Sequence, residues 1–140
     1  MADVVRDIMK RKIVTISVSE RLSTVEDIMT LGGVRHIPVV RAGTLVGVVT
    51  ERDLLRTSLS NLNQYGADAR RAFLSAVEIA RVMSSPPVTI GEDDSVEAAA
   101  CVMAERKIGC LPVIGEQDDF VGLVTETDLL RYFAGLPPVV

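Results

Sequence analysis

Residues 5–16, VRDIMKRKIVTI, return at 79–90 as IARVMSSPPVTI, a displacement of 74 that pairs Met9 with Met83 and Thr15 with Thr89. The register then holds: RHIPVV at 35–40 falls on GCLPVI at 109–114. After one extra loop residue, GVVTERDLLR (47–56) meets GLVTETDLLR (122–131). Chance similarity drifts, and this does not, so the chain contains a duplicated structural unit. The copies span 5–56 and 79–131, with a connector at 57–78 and a short proline-rich tail at 132–140. A unit of about 50 residues is marginal by itself, so the copies are expected to pack as a pseudo-symmetric pair, each burying its apolar face against the other.

Within a copy, the β-branched run Ile13-Val14-Thr15-Ile16, matched by Val88-Thr89-Ile90, reads as a short first strand. Leu22, Val25, Ile28 and Met29 recur at helical spacing, as do Val96, Ala99, Val102 and Met103, and Gly32-Gly33 supplies a stop for the first helix. Residues 37–40 and 45–49 flank the turn Arg41-Ala42-Gly43 as a hairpin, and Pro38, with no amide to donate, is expected at a strand start or an unpaired edge. A helix opens at Thr50 and runs through Leu54 and Leu55. The fold class is therefore α+β, two β-α-β-β-α repeats. The connector reads as a polar loop followed by a helix whose stripe is Phe73, Leu74, Val77 and Ala80.

Composition narrows the function. With 48% hydrophobic and 24% charged residues the chain can bury a core, and 15 basic against 19 acidic side chains make it too acidic for a general nucleic-acid binder. No apolar stretch approaches a membrane span and the charged start does not resemble a signal peptide, so a cytoplasmic location is expected. Cys101 and Cys110 lack zinc or redox spacing and read as small buried hydrophobes. His36 is the single histidine, and no nucleophile sits in a recognisable catalytic frame, so neither a metal centre nor an enzyme is expected.

The sharpest recurring string is Gly-x-x-Thr-x-x-Asp, present as Gly47, Thr50, Asp53 and as Gly122, Thr125, Asp128. Thr followed three residues later by an acid is a helix capping box. The box does not need the upstream glycine, which in a strand often marks close approach of a ligand or another backbone. A helix N-terminus beside a hydroxyl is also an anion site, and a nearby carboxylate can accept hydrogen bonds from a vicinal diol. The two readings are compatible.

In their order, the Asp-Ile-Met start (Asp7-Ile8-Met9; Arg81-Val82-Met83), the Thr-bearing first strand, the Pro-Val second strand and the Gly-x-x-Thr-x-x-Asp-Leu-Leu ending resemble a tandem pair of CBS domains, the family named after cystathionine β-synthase. The resemblance implies a regulatory module that binds an adenosine ligand (AMP, ADP, ATP or S-adenosylmethionine) in the cleft between repeats, with no obligatory cofactor. It also implies a homodimer and an effector protein acted on in trans. Carried over by position, Asp53 and Asp128 are the ribose-binding acids and Thr50 and Thr125 the hydroxyls beside them. Val34, Arg35 and His36, matched by Ile108 and Gly109 with Cys110, line the approach to the second strand. Val48 and Leu123, with Ile8 and Val82, border the adenine. The alternative, from a different class, is a structural dimerisation module in which Thr and Asp only cap helices.

The copies differ in charge, +3 over 5–56 and −6 over 79–131, and Arg35 and His36 stand where the second copy has Gly109 and Cys110. Phosphate is therefore expected to prefer the Asp53 site. Arg6, Lys10, Arg11 and Lys12 read either as a solvated face or as extra grip on a polyphosphate tail.

Overall fold

The structure, a computed structural model, describes residues 3–59 and 66–139. Its two compact units do not follow the repeats. The stretch that begins at Val14 and ends at Pro86 forms one, here the Asp53 unit; the segment ending at Ile13 joins the segment beginning at Pro87 to form the other, the Asp128 unit.

The Asp53 unit contains β1 (Ile16–Ser17), α1 (Leu22–Gly32), β2 (His36–Arg41), β3 (Thr44–Thr50), α2 (Glu51–Leu59) and α3 (Gly66–Ala76). Its sheet runs β1-β2-β3, parallel then antiparallel. The hairpin turns on Ala42 and Gly43, both at positive φ (49° and 81°), as a two-residue turn matched to strand twist requires. Helix α1 ends on Gly33 in the left-handed region. Val25 and Met29 on α1 pack with Ile37, Val39 and Val49 of the sheet and with Leu54, Leu74 and Ile79 in one core.

The Asp128 unit repeats the plan with β4 (Ile90–Gly91), α4 (Val96–Arg106), β5 (Cys110–Ile114), β6 (Phe120–Thr125) and α5 (Glu126–Phe133), its sheet ordered β4-β5-β6. Its core takes Val5, Ile8 and Met9 from the distant N-terminal segment alongside Val96, Met103, Leu111, Val113, Val124 and Leu129. Thus both units are mixed α and β and follow the same β-α-β-β-α order.

Four expectations need correction. The first strand lies later than read, at Ile16–Ser17 and Ile90–Gly91, because residues 13–15 and 87–89 carry the chain from one unit into the other; Val14 and Thr15 are exposed. Pro38 and Pro112 stand inside the central strands rather than at an edge. They cost no ladder hydrogen bond. Opposite them, Val48 and Leu123 turn their amides and carbonyls away, toward Ser84 and Lys10, and pairing with the short first strands begins only at Val39 and Val113. The connector stripe is not one helix: α3 stops at Ala76, Leu74 is buried, and Phe73 and Ala80 face outward. Residues 57–59 continue α2 instead of starting a loop, and the rest of the polar loop, 60–65, lies outside the described residues. Finally, Cys110 is buried but Cys101 is exposed, being on the outward side of α4.

Candidate functional site: two capped helices with unequal carboxylates

Each antiparallel hairpin runs directly into a helix, and the Thr-x-x-Asp string stands at that junction. At α2 the Thr50 amide and hydroxyl both donate to Asp53 Oδ2, at 2.8 and 3.0 Å, and the Asp53 amide donates back to Thr50 Oγ1 at 3.2 Å. Thr125 and Asp128 repeat this at α5, at 2.8, 3.0 and 3.4 Å. The capping box is therefore present twice, and it holds each carboxylate by one oxygen. The strand before it is pinned as well: the first helical amide, of Glu51 or Glu126, donates to the carbonyl of Arg35 or Gly109, at 2.9 and 3.0 Å. His36 and Cys110 sit opposite Thr50 and Thr125 in register.

The glycines answer to a neighbouring backbone. A Cβ on Gly47 would lie 2.7 Å from both Met83 Sδ and the Ser84 carbonyl oxygen, and one on Gly122 would lie 2.5 Å from Met9 Sδ and 3.0 Å from the Lys10 carbonyl. Through those glycines the segment at 83–84 is drawn onto β3, and the segment at 9–10 onto β6. Ser84 exchanges both backbone hydrogen bonds with Val48 (2.9 and 3.1 Å), and Lys10 does so with Leu123 (2.8 and 2.9 Å). Each segment thereby covers a sheet edge that would otherwise present unpaired amides and carbonyls.

These crossings make the sites differ. Lys10 Nζ lies 2.5 Å from Asp128 Oδ1 and 3.4 Å from Thr125 Oγ1, and the Asp128 side chain is only 1% exposed against 29% for Lys10. In the Asp53 unit the corresponding residue is Ser84, exposed and too short to reach. Asp53 is half-buried, and its Oδ1 takes no hydrogen bond from a described residue. The repeat register could have revealed this, since the displacement of 74 sets Lys10 against Ser84.

Of the residues singled out in the sequence, Thr50, Asp53, Val34, Arg35, His36, Val48 and Val82 fall in the Asp53 unit, and Thr125, Asp128, Ile108, Gly109, Leu123 and Ile8 in the Asp128 unit. Val48 and Leu123 are buried beside the crossing segments; Ile8, at 5% exposure, belongs to the core, and Val82 and Val34 pack against theirs. Arg35 is exposed and His36 half-buried. Ile108 packs against its unit's core as Val34 does, and it also borders an apolar groove of about 290 Å³ with Ala100, Met103 and Ala104 of α4 and Glu126, Leu129, Leu130 and Phe133 of α5.

The basic cluster also sits elsewhere than its sequence position suggests. Arg6 bonds Glu92 at 2.8 Å and pairs with Asp93, which together hold its guanidinium above its ordinary pKa, and Lys10 is committed to Asp128. By unit, the Asp53 side carries eight basic and seven acidic side chains, the Asp128 side seven and twelve. Among the described residues no cluster of three or more metal-ligating side chains occurs, and no helix is long and apolar enough to cross a membrane.

Comparison with known proteins places this arrangement. The family model of the CBS domain matches residues 5–60 and 79–135. The CBS domain-containing protein YhcV of Bacillus subtilis is 32% identical over 126 residues, covering 89% of this chain and 81% of that protein. Protein MJ1225 of Methanocaldococcus jannaschii is 32% identical over 134 residues; these are 94% of this chain, which spans only 48% of that relative. The CBS domain pair of protein MJ0100, solved with 5′-methylthioadenosine and S-adenosyl-L-methionine, superposes with a TM-score of 0.77 at 25% identity, covering 96% of this chain and 98% of that one. With both repeats matched by the family model, the chain belongs to the CBS-domain family.

Proposed function

We propose that the chain is a non-catalytic regulatory module that binds an adenosine ligand (AMP, ADP, ATP or S-adenosylmethionine) and passes the binding event to an effector. The observation that carries this reading is the Asp53 carboxylate. The capping box fixes its Oδ2, while Oδ1 takes no hydrogen bond from a described residue and lies beside a helix N-terminus, a geometry suited to a ribose diol with a phosphate nearby. Thr50 and Val48 lie on the strand that runs into the same junction, Val82 packs against the core of the same unit, and Arg35 and His36 supply basic groups where β2 begins. Thr125, Asp128, Leu123, Ile108, Gly109 and Ile8 are the counterparts in the other unit. The adenosine ligands of the MJ0100 pair support the ligand class. For ligand to act as a signal it has to favour one arrangement of the protein over another.

Replacing Asp53 by Ala removes a charge-assisted hydrogen bond of about 1.5–3 kcal/mol, so nucleotide affinity measured by calorimetry should fall roughly ten- to hundredfold. Equal affinity in both proteins would sink the assignment.

A second reading, a dimerisation module without ligand, draws on two observations. The capping boxes account for both Thr/Asp pairs by themselves, and Leu130 (69% exposed) and Phe133 (59%) leave an apolar face on α5 suited to a second copy. A thermal-shift panel of AMP, ADP, ATP, GTP and S-adenosylmethionine separates the two. Bound ligand at one hundred times its dissociation constant adds about 2.7 kcal/mol, whereas the second reading expects no shift. Sedimentation of wild type and of Leu130→Glu tests the homodimer under either reading.

A further inference from the structure

We infer that Lys10 sets the ligand specificity of the Asp128 site, acting as a built-in cation that admits a nucleotide by its phosphate and disfavours an uncharged or cationic nucleoside. The inference rests on the nucleotide reading of the Asp and Thr pairs above. It starts from the one position where otherwise matching junctions differ: Lys10 bonds Asp128 Oδ1, the oxygen whose counterpart on Asp53 takes no hydrogen bond from a described residue. A diol approaching Asp128 therefore competes with an ammonium at 2.5 Å from a carboxylate that is almost wholly removed from water.

Where the displaced ammonium goes decides the selectivity. The Lys10 backbone is held by both hydrogen bonds to Leu123, so only the four-carbon side chain can swing, and its charge stays at the site. A 5′-phosphate gives that charge a new partner. Adenosine gives it none, and a sulfonium adds a like charge beside it. At the Asp53 junction Ser84 carries no charge, so among the described residues no ion pair has to be broken there.

Calorimetry with AMP and adenosine as probes tests this. In the Asp53→Ala chain, where binding reports the Asp128 site, AMP should bind at least about tenfold more tightly than adenosine. Adding Lys10→Ser should erase most of that ratio by moving the two affinities in opposite directions, adenosine tighter and AMP weaker; a merely structural lysine would lower both. Because Lys10→Ser burdens the fold, the gain-of-function variant Ser84→Lys, at an exposed position, carries the same test into the other unit, where it should raise the AMP-to-adenosine ratio above that of wild type. Nucleotide binding with the ratio unchanged in both variants overturns the role of Lys10 and leaves the nucleotide reading standing. Failure of wild type and both variants to bind either probe removes the nucleotide reading and the inference with it.

Discussion

The Asp53 and Asp128 units share strand order, register, capping boxes and the glycine that admits a crossing segment, yet one carboxylate is half-buried, with one oxygen taking no hydrogen bond from a described residue, while the other is buried against a lysine. The difference comes from residues far away in sequence. Each junction is completed by the segment that opens the other repeat, so charge counted along a repeat misstates the charge at its site. The four cations at 6–12 leave the first repeat's sheet and join the acidic unit, reducing the contrast of +3 against −6 to one of +1 against −5. Within that unit Arg6 is paired with Glu92 and Asp93, and Lys10 with Asp128.

The sharpest way to break this comparison is to shorten the two crossing side chains. Lys10→Ala leaves the Asp128 carboxylate buried with only its Thr125 bonds, and breaking a buried pair in this way costs about 3 kcal/mol. Ser84→Ala removes a small exposed hydroxyl and should lie within about 0.5 kcal/mol of wild type. Urea unfolding of both variants checks the contrast, and equal losses would mean that Lys10 contributes nothing specific.

Next in size are the glycines. In Gly47→Ala the new methyl meets the Ser84 carbonyl at 2.7 Å, and a backbone atom cannot step aside; in Gly122→Ala the backbone contact is 3.0 Å and the tighter clash is with the flexible Met9 thioether. Overpacking should therefore cost about 2 kcal/mol at Gly47 and about 1 kcal/mol at Gly122. The reverse order by thermal unfolding would show that the methionines, not the crossing backbones, set the spacing.

A third contrast lies at the register position shared by His36 and Cys110. Burial, with the Glu126 carboxylate adding to it, pushes the Cys110 thiol from 9.0 up to about 12. A thiol whose pKa is raised on folding binds its proton more tightly in the native state. Its contribution is full below pH 9 and is lost as pH rises toward 12, at up to about 1.4 kcal/mol per pH unit. Cys110→Ala should flatten that alkaline decline. Under native conditions iodoacetamide should label exposed Cys101 first, and preferential labelling of Cys110 would contradict its burial.

Local patterns were legible in the sequence: the hairpin at Ala42-Gly43, the helices carrying Val25 and Ala99, the Gly33 stop and both capping boxes each depend on residues within a few positions of one another. What failed depends on distance. The β-branched run at 13–15 has strand propensity but is taken up in crossing between units, and Cys101 obeys its helix's outward face rather than cysteine's general preference for burial. The Lys10 to Asp128 pair spans 118 positions, and only the repeat register, which sets Lys10 against Ser84, hints at it.

The smallest contrast is at the ends of α1 and α4. Both helices close on a left-handed residue whose amide donates to the fourth residue back, Gly33 (φ 64°) to Met29 and Lys107 (φ 56°) to Met103. Glycine takes that conformation without strain, whereas for an L side chain it costs roughly 1–2 kcal/mol. Lys107→Gly should relieve most of this, but glycine also loosens the unfolded chain by about 0.4–1 kcal/mol, and a cation favourable to the helix C-terminus is lost at about 0.3 kcal/mol. The balance is a gain of about 0.5 kcal/mol, which is a rise of about 1–2 °C in melting temperature. Gly33→Lys should lower it by a similar amount through the backbone alone, because no atom lies within 4 Å of the added Cβ. If both substitutions moved the melting temperature in the same direction, conformational strain would not be what separates these two otherwise equivalent helix ends.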